Sequence, residues 1–321
     1  MNTLLKPLIN ELQKRSEIFA PQKTEEGFAI EKLENPENFE FTAQQPLFSF
    51  KKFFVPERET LIEYAGTKQR EARDENKNIS LLGLNILDLK YVLLYDLVFA
   101  KDANYQKRRQ NIFIVAHNLA PDKENNFTER KFDEEVLRDY PYDIFVILDH
   151  KTQPGLTAGS KKGREILEYL GLEHRDLSWR QIKKPALLPP HPEKIRQKLM
   201  AQKNEKLWEE LNERCLRCGK CTMVCPTCFC FRIDDKPALG GQTGERQRCW
   251  DSCFFDEFHE VTGGHDFHPA IKNRIFFWYF HKFARIPKEF NLTGCVGCKR
   301  CFKVCPANID IEKVLDAILY E

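Results

Sequence analysis

Twelve cysteines lie between Cys215 and Cys305, and none precedes them. Eight of them form two copies of one pattern, C-x2-C-x2-C-x3-C-P. The first copy is Cys215, Cys218, Cys221 and Cys225 before Pro226; the second is Cys295, Cys298, Cys301 and Cys305 before Pro306. Three thiolates at three-residue intervals wrap one face of an iron–sulfur cubane, and the fourth, followed by proline, ligates the other cluster where two such runs share a chain. The spacing therefore predicts one 4Fe-4S cluster on Cys215, Cys218, Cys221 and Cys305, and a second on Cys295, Cys298, Cys301 and Cys225. Gly219 and Gly297 leave room for backbone to approach sulfide and donate hydrogen bonds, one lever on potential. Zinc would use two C-x2-C knuckles per tetrahedral site. A third cysteine in register and the duplicated C-P ending argue for clusters instead.

The other four thiols, Cys228, Cys230, Cys249 and Cys253, fall between the motifs. Four thiols are enough for a third cluster or a zinc ion, and a pair is enough for redox chemistry. One-residue and three-residue gaps are poor ligand spacing, so a third metal site is not favoured. The expectation is that these cysteines pack around the first cluster as small buried hydrophobes. His265 and His268 in TGGHDFH read as a loop, because Gly263 and Gly264 are turn residues and no carboxylate spacing supports a metal. The run Phe276-Phe277-Trp278-Tyr279-Phe280 reads as helix core. GGQTGE at 240–245 has glycines but lacks the lysine and following Ser or Thr of a phosphate loop. No Ser/His/Asp arrangement or paired-carboxylate motif stands out, so no catalytic residue is assigned.

These residues need elements to position them. Ile195, Leu199, Leu207, Leu211 and Cys215 recur at helical spacing and predict a helix leading into the cysteine region. Val314, Leu315, Ile318 and Leu319 predict a closing amphipathic helix, capped by Asn308 or Asp310. The expected C-terminal domain, 191–321, is mainly helical and ferredoxin-like, with an insertion at 226–294. Pro185, Pro189, Pro190 and Pro192 punctuate a boundary, with a linker at 180–195. Upstream, NIFIVA (Asn111–Ala116) and DIFVIL (Asp143–Leu148) read as strands buried on both faces. Phe132, Val136 and Tyr140 between them mark a helical stripe, making a βαβ unit. Arg164–Leu170 reads as a helix stopped by Gly171. Residues 1–60, with Phe48, Phe50, Phe53 and Phe54, read as strands or extended segments, and Lys68–Lys77 as solvated surface. Residues 1–190 are thus expected to be an α/β scaffold or partner-docking domain, and no glycine-rich fingerprint gives it a dinucleotide.

Composition sets outer limits. The chain has 321 residues, about two domains' worth. Fifty Lys+Arg against 48 Asp+Glu leave a net charge of +2, no global argument for nucleic acid or an anionic membrane. The most apolar stretch, Tyr91–Ala100, is interrupted by Asp96 and falls far short of the ~20 residues a membrane span needs. The N-terminus carries charges where a secretory signal needs an apolar core. A cytoplasmic location is expected, where crowded cysteines mean metal ligation rather than disulfides.

CLRCGKCTMVCPTCFCF, RCWDSCFF, TGGHDFHP with FFWYFHKF, and GCVGCKRCFKVCP together resemble two related groups. One is the beta (iron–sulfur) subunit of cytosolic nickel–iron hydrogenases of the sulfhydrogenase type; the other is the corresponding electron-conducting subunit of anaerobic sulfite reductase. The cluster spacing alone is widespread, whereas CPTCFCF followed by WDSC is much more specific. Upstream, FFVPERETLIEY and LLGLNILDLKYVLLYDLVFAKDANYQKRRQN look like the N-terminal domain of these subunits. Hydrogenase members often carry cysteines there, one just before the aspartate matched by Asp88; here Leu87 precedes it and positions 1–214 have no cysteine, so the resemblance does not carry a cluster or ligand role over to that domain. Cys228, Cys230 and Cys253 match the shared pattern and Cys249 does not.

The resemblance implies an electron conduit, non-catalytic alone, in a multisubunit oxidoreductase. A partner would carry FAD and bind NAD(P)H, and hydrogenase small and large subunits would carry the terminal chemistry. The alternative is delivery to a siroheme subunit of sulfite reductase. Two other classes compete: thiol chemistry at Cys228 and Cys230, and nucleic-acid binding with structural clusters, which the net charge disfavours.

Overall fold

The computed structural model describes residues 5–25, 27–72, 77–119, 121, 140–148, 154–174, 192–201 and 204–320. The expected Phe132–Val136 stripe and most of the 180–195 linker lie outside these residues. The strands in chain order are β1 (Glu17–Thr24), β2 (Gly27–Lys32), β3 (Arg58–Ala65), β4 (Lys68–Glu71), β5 (Ile79–Leu84), β6 (Ile112–His117), β7 (Ile144–Ile147), β8 (Gly155–Ala158), β9 (Phe231–Pro237) and β10 (Thr243–Trp250), before a two-residue pair, β11 (Glu260–Val261) and β12 (His265–Asp266). The chain divides into two compact units. One holds Met1–Phe50, Asn76–Pro190 and Val296–Cys298; the other holds Lys51–Glu75, His191–Cys295 and Lys299–Glu321.

The first unit is built on a six-stranded mixed sheet ordered β2-β1-β5-β6-β7-β8. β1, β5, β6 and β7 run parallel, with antiparallel β2 and β8 at the edges. The two apolar runs seen in the sequence are the neighbouring parallel strands β6 and β7, and β6 is buried at every position. Helices Leu5–Arg15 and Lys161–Tyr169 contribute Leu8, Leu12, Ile166 and Leu167 to a core shared with Val115 and Val146. The second helix leaves the chain through Gly171, at φ 62°, as expected. At Gly163 a Cβ would lie 1.9 Å from the Asp143 carbonyl oxygen, so only glycine lets this helix approach β7. Helix Ile86–Val98 starts in a capping box: Asn85 accepts from the Leu87 and Asp88 amides, and Asp88 accepts from the Asn85 amide at 3.0 Å. The aspartate matched in the family pattern thus caps a helix. The N-terminal segment is less extended than expected, because it also carries helix Leu5–Arg15 and, in the other unit, a turn of helix at Lys51–Phe54.

The second unit combines helices with a four-stranded antiparallel sheet, β4-β3-β10-β9, so a mainly helical description covers only part of it. The hairpin β3–β4 joins β10 from far upstream in sequence. A buried pair pins it, with Arg248 Nε donating to Glu59 at 3.0 Å, and Trp250 Nε1 donates to the Val55 carbonyl at 2.9 Å. GGQTGE is the turn of the β9–β10 hairpin, and TGGHDFH is the small β11–β12 hairpin. The expected helix into the cysteine region is two helices, Pro192–Met200 and Glu205–Arg214, with Asn204 left-handed before the second. Helix Ile271–Phe280 carries the aromatic run, with Trp278 and Tyr279 buried. The closing helix, Ile311–Tyr320, is capped by Asp310, which accepts from the Glu312 amide at 2.9 Å.

Candidate metal centres

Each cysteine motif begins as irregular chain and ends in one turn of helix, Lys220–Met223 in the first and Arg300–Lys303 in the second. The turns before them are left-handed at matching places: Arg217 and Gly219 in one copy, Gly297 and Lys299 in the other. Positive φ on either side of the second cysteine coils the chain around a centre, which the three-residue spacing alone leaves undetermined.

Cys215, Cys218, Cys221 and Cys305 line one cavity. The two ends of the motif pair, far apart in sequence, therefore meet at one place. Cys301 also lines it, and the remaining wall is apolar, with Ile275, Trp278, Tyr279, Ile309 and Ile311. Burial pushes the thiols of Cys215 and Cys221 up, with neighbouring thiols adding to the shift. A metal core binding here must displace protons held against their usual tendency. The Ile309 amide donates to Cys305 Sγ at 3.4 Å, the kind of backbone donor that stabilises a bound thiolate.

The other four predicted ligands are arranged differently. Cys225, Cys295 and Cys298 are buried and Cys301 is half-buried. Lys282, 2% exposed, reaches Cys225 Sγ at 3.3 Å, Thr227 Oγ1 at 2.8 Å and the Gly294 carbonyl at 2.9 Å. Thr227 Oγ1 also donates to the Gly294 carbonyl at 2.7 Å. These bonds staple the turn after Cys225 to the residue before Cys295. A hydrogen bond from Cys228, then Lys282 and Thr227, hold the Cys225 thiol well below its ordinary value against burial. Burial opposes the charge on Lys282, but Cys225, Cys228 and Cys295 outweigh it and raise its pKa. Sequence reasoning missed Lys282, because a single lysine carries no pattern.

Two observations suit iron–sulfur groups here. Trp278 lines the first cavity, and its Nε1 is buried without a hydrogen-bond partner, a donor suited to sulfide. Lys282 is a fully bonded buried amine that donates to Cys225 Sγ, a partner suited to a metal-bound thiolate. The WDSC segment buttresses the first motif: Ser252 Oγ accepts from Thr222 Oγ1 at 2.8 Å and from the Phe254 amide at 3.1 Å. Arg274, also 2% exposed, donates to the carbonyls of His268 and Phe254 and to Asp256 and Asp266, closing the loop after it. The rings of His265 and His268 sit among aromatics, His265 against Phe267 and His268 against His259 and Phe277.

Comparison with known proteins agrees with this geometry. Residues 214–309 match the model of a 4Fe-4S dicluster domain. Over 325 residues, covering 96% of this chain and 94% of the relative, the sequence is 28% identical to Sulfhydrogenase 2 subunit beta of Pyrococcus furiosus. No solved structure matches. Among the described residues no helix is long and apolar enough to cross a membrane. The chain is thus similar along nearly its whole length to a sulfhydrogenase beta subunit, and its C-terminal part carries a 4Fe-4S dicluster domain.

Proposed function

We propose that this chain is the electron-transfer subunit of a soluble, cytoplasmic multisubunit oxidoreductase, relaying electrons between a flavin- and NAD(P)H-binding partner and a nickel–iron hydrogenase module. The observation that carries the reading is the meeting of Cys215, Cys218, Cys221 and Cys305 around one apolar cavity. Crossed ligation follows: those four hold one cluster, and Cys295, Cys298, Cys301 and Cys225 hold the other. When bound, such clusters pass single electrons, whereas NAD(P)H gives a hydride, so a flavin must convert between them. The chain's own residues set the conditions. Ile309 N–H and Lys282 Nζ donate to the terminal thiolates of the two motifs, and Trp278 and Tyr279 exclude water from the first. The N-terminal α/β unit would serve as scaffold and docking domain for partners. The similarity to a sulfhydrogenase subunit favours hydrogenase over sulfite reductase as the complex.

The isolated chain, purified anaerobically, should be reduced by dithionite but not by NADPH, and adding the flavin-bearing partner should restore reduction by NADPH. Cluster bleaching by NADPH with this chain alone, or tightly bound flavin in it, would overturn the relay reading.

A further inference from the structure

A second cavity, of about 250 Å³, opens beside helix Ile271–Phe280, against about 60 Å³ for the one at Cys215. Cys228, Cys230 and Cys253 all line it, together with Trp278, His281 and Lys282. The sequence spacing does not suggest this meeting. Cys228 and Cys230 leave the first motif, the β9–β10 hairpin intervenes, and Cys253 returns the chain to the same wall. Cys230 and Cys253 are within hydrogen-bond reach of each other. Cys249, on β10, instead bonds to Asp234 and is not part of the wall.

Three thiols on one cavity wall are more than simple packing needs. Lys282 has all three N–H bonds committed, and its acceptors are a thiol, a hydroxyl and a carbonyl. Lys51, 4% exposed, has its side-chain nitrogen 3.8 Å from the Trp250 ring centre. Burying ammonium groups is costly unless anions accompany them. Cys225 answers Lys282 in the second motif set, and thiolates fixed on a metal core at Cys228, Cys230 and Cys253 would add negative charge beside it. A fourth donor is also at hand. His281 Nδ1 is buried with no hydrogen-bond partner; of the other uncharged polar side chains of the wall, Thr227 is already bonded to Lys282 and Gly294, and the Trp278 indole N–H has no lone pair to offer a metal.

We infer that Cys228, Cys230 and Cys253 hold a third iron–sulfur cluster in this cavity, with His281 as its fourth ligand. Among the described residues no group of three or more His, Cys, Asp or Glu closes on a single-ion position, and the motif cysteines behave the same way. Thiols set around a cavity suit a cluster, whereas zinc draws its four ligands to one point. The inference goes beyond the two-cluster relay.

The full-length chain, purified anaerobically, is assayed for iron, acid-labile sulfide, zinc and the electron paramagnetic resonance of its reduced form. Three clusters give about 12 iron per chain. Cys253→Ser, and independently Cys230→Ala, should each remove about four iron while the two motif-cluster signals persist. His281→Cys should keep the iron and shift only the third signal; an unchanged third signal overturns the histidine assignment. About eight iron in the unaltered chain overturns the third cluster and leaves the two-cluster reading intact, whether the thiols then hold zinc or a Cys230–Cys253 disulfide. About four iron or fewer overturns the two-cluster reading as well.

Discussion

The two cysteine motifs share a spacing and differ in their surroundings. In the ligand set proposed for the first cluster, Cys215, Cys221 and Cys305 are half-buried and Cys218 is exposed. In the other, Cys225, Cys295 and Cys298 are buried. Their terminal thiols differ in the same sense: Cys305 accepts from a backbone amide, and Cys225 from a buried ammonium. Even the left-handed turns are distributed unequally, since glycine occupies Gly219 in one copy and Gly297 in the other, while Arg217 and Lys299 adopt positive φ without that freedom. One ligand pattern therefore builds two electrostatic environments. In the proposed clusters the spacing would choose what is bound, and the neighbours would set how readily each centre takes an electron and which lies nearer the surface.

The most direct way to break this comparison is to exchange the crossed ligands. Replacing Cys305 by Ser should remove about four iron, and should abolish the signal of the centre on Cys215, Cys218 and Cys221 rather than that of its own motif. Loss of the Cys295 centre instead would mean that each motif is self-contained. A smaller effect separates the environments. Lys282→Met should lower the reduction potential of the Cys225 centre by roughly 60 mV, a tenfold change in a one-electron equilibrium, because it removes a cation facing the thiolate. Potentiometric titration followed by electron paramagnetic resonance checks this, and an equal shift in both centres would show that the lysine acts on neither specifically. The smallest effects lie in the turns and have opposite signs. In Gly219→Ala the new Cβ would meet the Phe255 ring at 2.5 Å in a left-handed turn, for a loss of about 2 kcal/mol. Arg217→Gly, on the other side of Cys218, should gain about 0.5 kcal/mol by relieving a left-handed arginine whose exposed pair with Asp256, at 3.7 Å, contributes little. Denaturant midpoints of the loaded protein measure both.

What the sequence reveals of this site depends on range. The thiol pattern is local, so its ligand type is legible in twelve residues, and β6 and β7 are legible because continuous apolar runs mark buried strands. The meeting of Cys228, Cys230 and Cys253 is not, because a hairpin of other chemistry separates them. Nor is the sheet that joins Arg58–Ala65 to Thr243–Trp250: β3 carries no apolar alternation that would name its partner, and Arg248–Glu59 reads in sequence as two ordinary surface charges. Lys51 and Lys282 are illegible for the same reason, since burial, and not residue type, gives them their significance.

The pairing of β3 with β10 also bears on biosynthesis. At about 5–20 residues per second, the hairpin that includes Arg58–Ala65 leaves the ribosome roughly 10–40 s before its partner strand exists. Meanwhile the segments on either side of it already contain β1, β5 and β6 of the other sheet. The nascent chain must hold this hairpin out, with its edge unpaired, until residue 250 has been made. Cutting the gene at residue 190 would consequently yield a C-terminal fragment with β10 unpaired on one side, and an N-terminal fragment trailing a hairpin that has nothing to join.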